Sequence, residues 1–381
     1  MSKRNIAVVS SSRADYSHLY PLMFALKNKK NVNFQLIITG MHLSEKYGNT
    51  YKEIVRDGFK INAKIQTKQS ISSEKLILHS MSEQLANSHK SLTKLKPDIV
   101  IILGDRYDIL PIAISCLIMQ IPLAHIHGGE LTQGAVDDAF RHSITKMSHI
   151  HFVASEEFKK RVIQLGEMKK NIFNIGSIGV SGLQTIKNKN IKAISKELGF
   201  KITNKYFVIA IHPETINGKN NLLIKNLLSI LGKLKNFQLI FTYPNSDTNS
   251  DIILKEIKKF IIQNQDNCFL IKSTGRQLFI NLLRNSSGII GNSSSGIIEA
   301  PSLGIPSLNI GNRQKGRPLS KSVISCSYSK KVIKTSIDKI LKFRKSNDDY
   351  KYKSTNSIGK IINKLTSINI KNIKNKIFQD I

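Results

Sequence analysis

Tryptophan is absent from this 381-residue chain, cysteine occurs three times, and acidic residues are outnumbered 58 to 26 by Lys and Arg. Each scarcity closes off a class of answer. Cys116, Cys268 and Cys326 are widely separated and form no CxxC pair, which argues against both a disulfide framework and a zinc knuckle and fits a reducing compartment. No apolar run approaches the roughly 18–20 residues of a membrane span, so a soluble protein with no membrane partner is expected. The opening MSKRNIAVVS passes from cations straight into a short apolar strand, without a signal-peptide pattern, and a cytoplasmic location is expected. The deficit of acids leaves a net charge of +32, which raises the question of nucleic acid. Lysine is spread along the chain, however, and there are few aromatics to stack on bases. We therefore expect no nucleic-acid partner; the positive field favours a small acidic substrate.

The chain does have a regular alternation of short apolar runs and amphipathic stretches. Runs at 5–10, 34–39, 60–65, 98–103, 122–127 and 151–154 read as buried strands, with helices expected over 72–94, 111–120, 138–146 and 156–165. Such alternation predicts a parallel, doubly wound sheet. Near 176–183 the pattern resets. After a Lys/Asn-rich connector, strands at 206–211, 238–242, 268–271 and 288–291 alternate with helices at 221–234 and 277–284 and one opening in NSSSGIIEAPSLG (292–304). The expected architecture is α/β, with two Rossmann-like doubly wound domains, 1–180 and 181–345, facing a cleft lined by the carboxyl ends of both sheets. A tail, 346–381, follows; its weak periodicity at 358–365 predicts a helix packed back on the body.

Chemistry concentrates in AHIHGGELTQGAVDDAFRHSITK (124–146), where an apolar strand gives way to a Gly-rich turn and an acid-started helix. Asp105 and Arg106 end the preceding strand, and Glu130 and Asp137 follow the next one. Adjacent parallel strands lie about 5 Å apart, so the three carboxylates are expected to converge and raise one another's pKa. Against this, Asp137 or Asp138 serves as a helix cap; one of the two is expected to do so, leaving the other free. His125 and His127, two apart on a strand, share a face, and His149 and His151 repeat the spacing. That is metal-ligand geometry, but both pairs sit in buried strands and no third ligand has diagnostic spacing, so no metal is expected.

A second set of signals points to an anion. NSSSG (292–296) follows an apolar strand and precedes a helix, where hydroxyls, free N–H groups and the helix dipole together suit phosphate. Glu299, a turn later, is placed to bind ribose hydroxyls. Neither Gly-Lys-Ser/Thr nor GxGxxG occurs in the required context, which disfavours ATP hydrolysis and hydride transfer. Arg13, just past the first strand, either clamps a diphosphate or pairs with Asp15. His212 and Arg313 occupy cleft-edge positions with the same ambiguity between ligand contact and ordinary loop residue.

Taken in order, the motifs resemble those of the hydrolysing UDP-N-acetylglucosamine 2-epimerases of sialic- and legionaminic-acid biosynthesis. The matching pieces are SSRADY (11–16), TGMHLSEKYGNTYKEI (39–54), LGDRYDIL (103–110), HIHGGE with DDAFRHSITKMSHIHF (125–152), NIGSIG (174–179), IHPET (211–215), GNSSSGIIEAPSLG (291–304) and NIGNRQKGRP (309–318). The resemblance implies a GT-B arrangement and a reaction in which the C2 proton of UDP-GlcNAc is removed as UDP leaves C1 by anti elimination. Water then adds to the glycal, giving free ManNAc. It implies that Asp105 and Asp137 are the catalytic acids. It also implies that Arg13, His212, Ser293, Ser294, Glu299 and Arg313 bind the UDP-sugar, with no cofactor and a homodimeric assembly; Arg106, at the strand end beside Asp105, is expected to join them. One position departs from many relatives, which have Glu where this chain has His127; either His127 or Glu130 takes that acid/base role. Alternatives are a paralogue acting on a UDP- or GDP-linked 2,4-diacetamido-trideoxy sugar and, more remotely, a GT-B glycosyltransferase.

Overall fold

The computed structural model describes the whole chain except residues 1–2, 68–72, 184–185, 217–218, 245–246, 248, 273, 344–350, 353–355 and 381. Thirteen strands appear among the described residues, all in parallel pairs. The first sheet contains β1 (Arg4–Ser10), β2 (Val32–Ile38), β3 (Ala63–Lys64), β4 (Ile99–Leu103), β5 (Leu123–Ile126), β6 (Ile150–Val153) and β7 (Ile172–Asn174), in the spatial order β3-β2-β1-β4-β5-β6-β7. The second contains β8 (Tyr206–Ala210), β9 (Gln238–Thr242), β10 (Cys268–Ile271), β11 (Gly288–Gly291), β12 (Ser307–Ile310) and β13 (Val323–Cys326), ordered β10-β9-β8-β11-β12-β13. Each order reverses once, between β1 and β4 and between β8 and β11. Those are the switch points where loops leave in opposite directions and open a crevice. The fold is the pair of Rossmann-like units expected.

Burial explains why these runs are strands. β4 (IVIIL) and β8 (YFVIA) are buried at every position, as helices on both faces of a parallel sheet require. The helix Arg13–Lys27 lays Leu19, Leu22, Met23 and Leu26 on the first sheet, and Leu223, Ile224, Leu227 and Leu231 of Asn220–Leu231 do the same on the second. At the far end of the chain, Ser357–Ser367 sends Ile361, Ile362 and Leu365 into the core beside Leu19 and Ile178 of the first lobe. Residues 346–350 of the tail and residue 72 of the expected long helix lie outside the described residues.

Two local expectations are corrected. The Lys/Asn-rich connector contains a helix, Ile191–Leu198, because Asn190 caps its start (Oδ1 to the Ala193 N–H, 2.9 Å) and Gly199 ends it with φ +78. Conversely, NSSSGIIEAPSLG does not open a continuous helix. It makes a single 3-10 turn, Ser294–Gly296, and then the four-residue Glu299–Ser302, so little helix dipole is available there. No helix among the described residues is long and apolar enough to cross a membrane.

Candidate active site

The carboxyl ends of the two sheets face one another across a cavity of about 220 Å³. Strand-end loops supply its walls. Arg13 follows β1, Asp105 and Arg106 follow β4, and His127, Glu130 and Asp137 follow β5. From the other lobe, His212 follows β8, Ser293, Ser294 and Glu299 follow β11, and Arg313 follows β12. The structure thus brings all eleven singled-out residues into one lining.

A cationic cluster surrounds His212. His212 is pinned by Asn292: its backbone N–H donates to Asn292 Oδ1 (2.7 Å), and Asn292 Nδ2 donates to the His212 carbonyl (2.8 Å), joining the ends of β8 and β11. Burial, reinforced by Arg313, Arg13 and Arg106, holds the His212 pKa well below its ordinary value. The ring is therefore neutral, and the three guanidinium groups around it form a field for a multiply charged anion. Glu214 fixes the Arg313 loop by accepting from the backbone N–H groups of Asn312 (2.8 Å) and Arg313 (3.2 Å), while Tyr328 Oη donates to its other oxygen (2.5 Å). Arg13 does not pair with Asp15. Asp15 is consumed by the N–H and hydroxyl groups of Ser11 and Ser12, and the Arg13 guanidinium instead reaches across the cleft to the Lys272 carbonyl. Glu299 is buried with Oε1 3.5 Å from His18 Nε2, and its Oε2 has no hydrogen-bond partner among the described residues.

The carboxyl groups of the cavity behave differently from one another. Asp105 is ion-paired with Arg141, a fully buried side chain that also donates to the Glu130 carbonyl (2.9 Å) and Thr132 Oγ1 (2.8 Å). Burial, with Arg317, Arg313 and Arg161 adding repulsion, pulls the Arg141 pKa down, so its carboxylate partners are what keep that charge tolerable. Glu130 is buried too, which alone would raise its pKa. Arg317 Nη2 at 2.8 Å and His127 Nδ1 at 3.0 Å outweigh burial and bring it down to about 2. Asp137 goes the opposite way. Burial, then the negative charge of Asp247, push it up to about 7 against the pull of Arg313 and Arg106.

Three expectations change here. The carboxylates do not raise one another as a triad: Glu130 is depressed, and Asp137 is raised by burial and then by Asp247, which sits on the other lobe. Neither aspartate of the Asp137–Asp138 pair is the N-cap, a position taken by Val136; Asp138 instead accepts from the Thr132 N–H, and Asp137 turns into the cavity. His125 and His127 do not share a face, because β5 ends at Ile126 and His127 adopts φ +68. The His125 ring lies within hydrogen-bond distance of the Gly104 carbonyl (2.7 Å) and Thr145 Oγ1 (3.1 Å), whereas His127 lines the cavity. His151 is taken by Glu167 at 3.0 Å. Among the described residues no three His, Cys, Asp or Glu side chains are grouped to hold a metal ion.

Sequence reasoning missed Arg141, Arg317, Glu214 and Asp247 as residues that shape the site. Arg141 carries a local signal, one helical turn after Asp137-Asp138, where i,i+3 pairing with Asp138 is natural. The rest reach partners more than 90 residues away in the chain, as with Arg317 and Glu130, and no spacing rule exposes that.

Comparison with known proteins places the chain in a family. The family model described as UDP-N-acetylglucosamine 2-epimerase matches residues 24–366. A Campylobacter jejuni protein named GDP/UDP-N,N'-diacetylbacillosamine 2-epimerase (hydrolyzing) is 43% identical over 85% of this chain and 84% of its own length. A Neisseria meningitidis UDP-N-acetylglucosamine 2-epimerase is 33% identical, over 87% and 85%. Among solved structures, UDP-GlcNAc 2-epimerase from Neisseria meningitidis bound to UDP-GlcNAc superposes with a TM-score of 0.78 at 18% identity, covering 96% of this chain and 100% of that one, a likeness of fold.

Proposed function

The chain belongs to the UDP-N-acetylglucosamine 2-epimerase family, among its hydrolysing members, and from that premise we propose that it converts UDP-GlcNAc and water to ManNAc and UDP. The observation that carries the reading is a juxtaposition within one cavity: three arginines around a neutral His212, and Asp137, at about 7, facing two of those arginines.

A C–H bond beside an acetamido group is a weak acid, so its removal needs a positioned base together with a stabilised leaving group. Arg13, Arg106, Arg313, His212 and the hydroxyls of Ser293 and Ser294 receive the diphosphate, and charge developing on its bridging oxygen is spread over them. A carboxylate takes the C2 proton, the C1–O bond breaks, and UDP departs with the bonding pair. In the second half a proton returns to C2 from the opposite face and water adds its hydroxyl to C1. Both halves need groups that give and take protons near neutrality. Asp137 suits that task, and Asp105, fixed by Arg141, is the second carboxylate. Glu130 stays anionic and acts on His127: Nδ1 is 3.0 Å from Glu130, Nε2 accepts from the Ile178 N–H at 3.4 Å, and together they fix the imidazole in the cavity wall. His127 is thereby the acid/base member of this pair and Glu130 its orienting partner.

A second reading is favoured by the 43% identity to the Campylobacter jejuni protein: the same elimination and hydration on a UDP- or GDP-linked 2,4-diacetamido sugar. Release of nucleoside diphosphate from UDP-GlcNAc and from UDP- and GDP-N,N'-diacetylbacillosamine, compared by kcat/KM, decides between them. Preference for UDP-GlcNAc supports the first reading, preference for a diacetamido sugar the second. Turnover of none of them removes both.

A further inference from the structure

Glu130 and Asp137 form an internal contrast. Both are buried carboxyls in one cavity, both face guanidinium groups, and burial pushes both upward. Arg317 and His127 overcome burial at Glu130 and bring it to about 2. Asp137 faces two guanidiniums, Arg106 and Arg313, and yet rises to about 7. The difference lies in what else holds those arginines. Arg106 Nη1 is 3.2 Å from Asp247 Oδ1, and its Nε is 3.3 Å from Asp108 Oδ1. Arg313 Nη2 is 3.7 Å from Asp247 Oδ2. Asp247 therefore engages both arginines, one with each oxygen, and adds its own negative charge beside Asp137.

The placement of these groups matters. Asp137, Arg106 and Asp108 belong to the first lobe; Asp247, in the loop after β9, and Arg313 belong to the second. Those are the charged groups that act most on Asp137; Asp105, Glu130 and Arg141 line the same cavity. Asp247 is buried but does not line the cavity, so it is not placed to touch a reacting bond.

We propose that Asp247 is a positioning residue: it withholds Arg106 and Arg313 from Asp137, so that the proton-exchanging carboxyl of the first lobe is completed by the second. The inference rests on the reading of Asp137 as a proton-transfer group. Its consequence is that acid/base competence comes with closure. With the lobes apart, Arg106 keeps Asp108 but loses Asp247, and the negative charge that Asp247 sets beside Asp137 goes with it, so Asp137 falls toward the ordinary carboxylate range.

Asp247→Asn keeps the shape and removes the charge. The limb of the kcat–pH profile that belongs to Asp137 should move to lower pH by about one to two pH units, with KM changed less than about threefold. Asp247→Glu should bring the limb back toward its wild-type position. Infrared difference spectroscopy against Asp137→Asn reads the same titration without substrate: the protonated-carboxyl band should disappear at lower pH in Asp247→Asn. A limb and band that stay in place, with KM alone rising, would overturn the proposal, because Asp247 would then merely order phosphate-binding arginines. The spectroscopic arm keeps the two readings separate. Wild-type protein that turns over normally while the band fails to move defeats only this inference; absence of turnover with a band that moves defeats the proposed reaction and leaves the role of Asp247 standing. Should Asp247→Asn not fold, Asp247→Ser removes the same charge.

Discussion

Replacing Arg317 by Met tests the electrostatic account of Glu130 most severely. Arg317 Nη2 lies 2.8 Å from Glu130 Oε2, and both side chains are almost wholly buried. Moving a carboxyl from 4.5 to about 2 corresponds to about 3 kcal/mol. The sign follows from the direction. A depressed carboxyl pKa gives stability that is fully present above the unfolded value and is lost as pH falls through the folded one. Wild type should therefore hold this contribution across neutral and mildly acid pH. In Arg317→Met burial dominates, the Glu130 pKa rises above its ordinary value, and an unpaired buried anion destabilises the fold at pH 7. Urea unfolding should show a loss of about 3 kcal/mol or more at pH 7 and a smaller loss at pH 4, where Glu130 takes up a proton. Turnover of the variant should fall as the pH is lowered through the raised Glu130 pKa, because His127 then loses the anion that orients it. A loss below about 1 kcal/mol, or an equal loss at the two pH values, would refute the reasoning.

Other consequences are more local. Asp105→Asn should lower kcat by about 100-fold or more with UDP affinity nearly unchanged, whereas Arg313→Ala should act mainly on KM, by about tenfold or more; steady-state kinetics and UDP calorimetry check both. Asp137 has a folded pKa above its unfolded one, so its contribution to stability is fully present below the unfolded value and is lost as pH rises toward about 7. Thermal melts should accordingly show Asp137→Asn stabilising the protein more at pH 8 than at pH 5, while turnover is lost. A Cβ at Gly134 would lie 2.9 Å from the Arg313 backbone, so Gly134→Val should loosen the contact between lobes and raise KM without abolishing folding.

The location of the site was legible because an open parallel sheet offers only one productive edge. Arg13, Asp105, His212 and Arg313 each stand just past an apolar run, and the strand-end rule places them together without any knowledge of contacts. What each group does there was less readable. The opposite pKa directions of Glu130 and Asp137 depend on Arg317 and Asp247, which arrive from the second lobe and follow no local pattern. His127 was misassigned to the strand because a left-handed backbone at a histidine has no sequence marker comparable to glycine. The serine-rich segment after β11 looked like a helix start because its hydroxyls fit an N-cap; the 3-10 turn and the four-residue Glu299–Ser302 allow little dipole to accumulate. Its hydroxyls and the neighbouring arginines, rather than a macrodipole, are what remain for an anion.

The central claim, elimination through loss of the C2 proton, is tested most directly by proton NMR of the purified protein with UDP-GlcNAc in D2O. The account predicts release of UDP together with ManNAc that carries deuterium at C2. Release of UDP with free GlcNAc that keeps its C2 proton would mean simple hydrolysis, and the epimerisation mechanism would be contradicted.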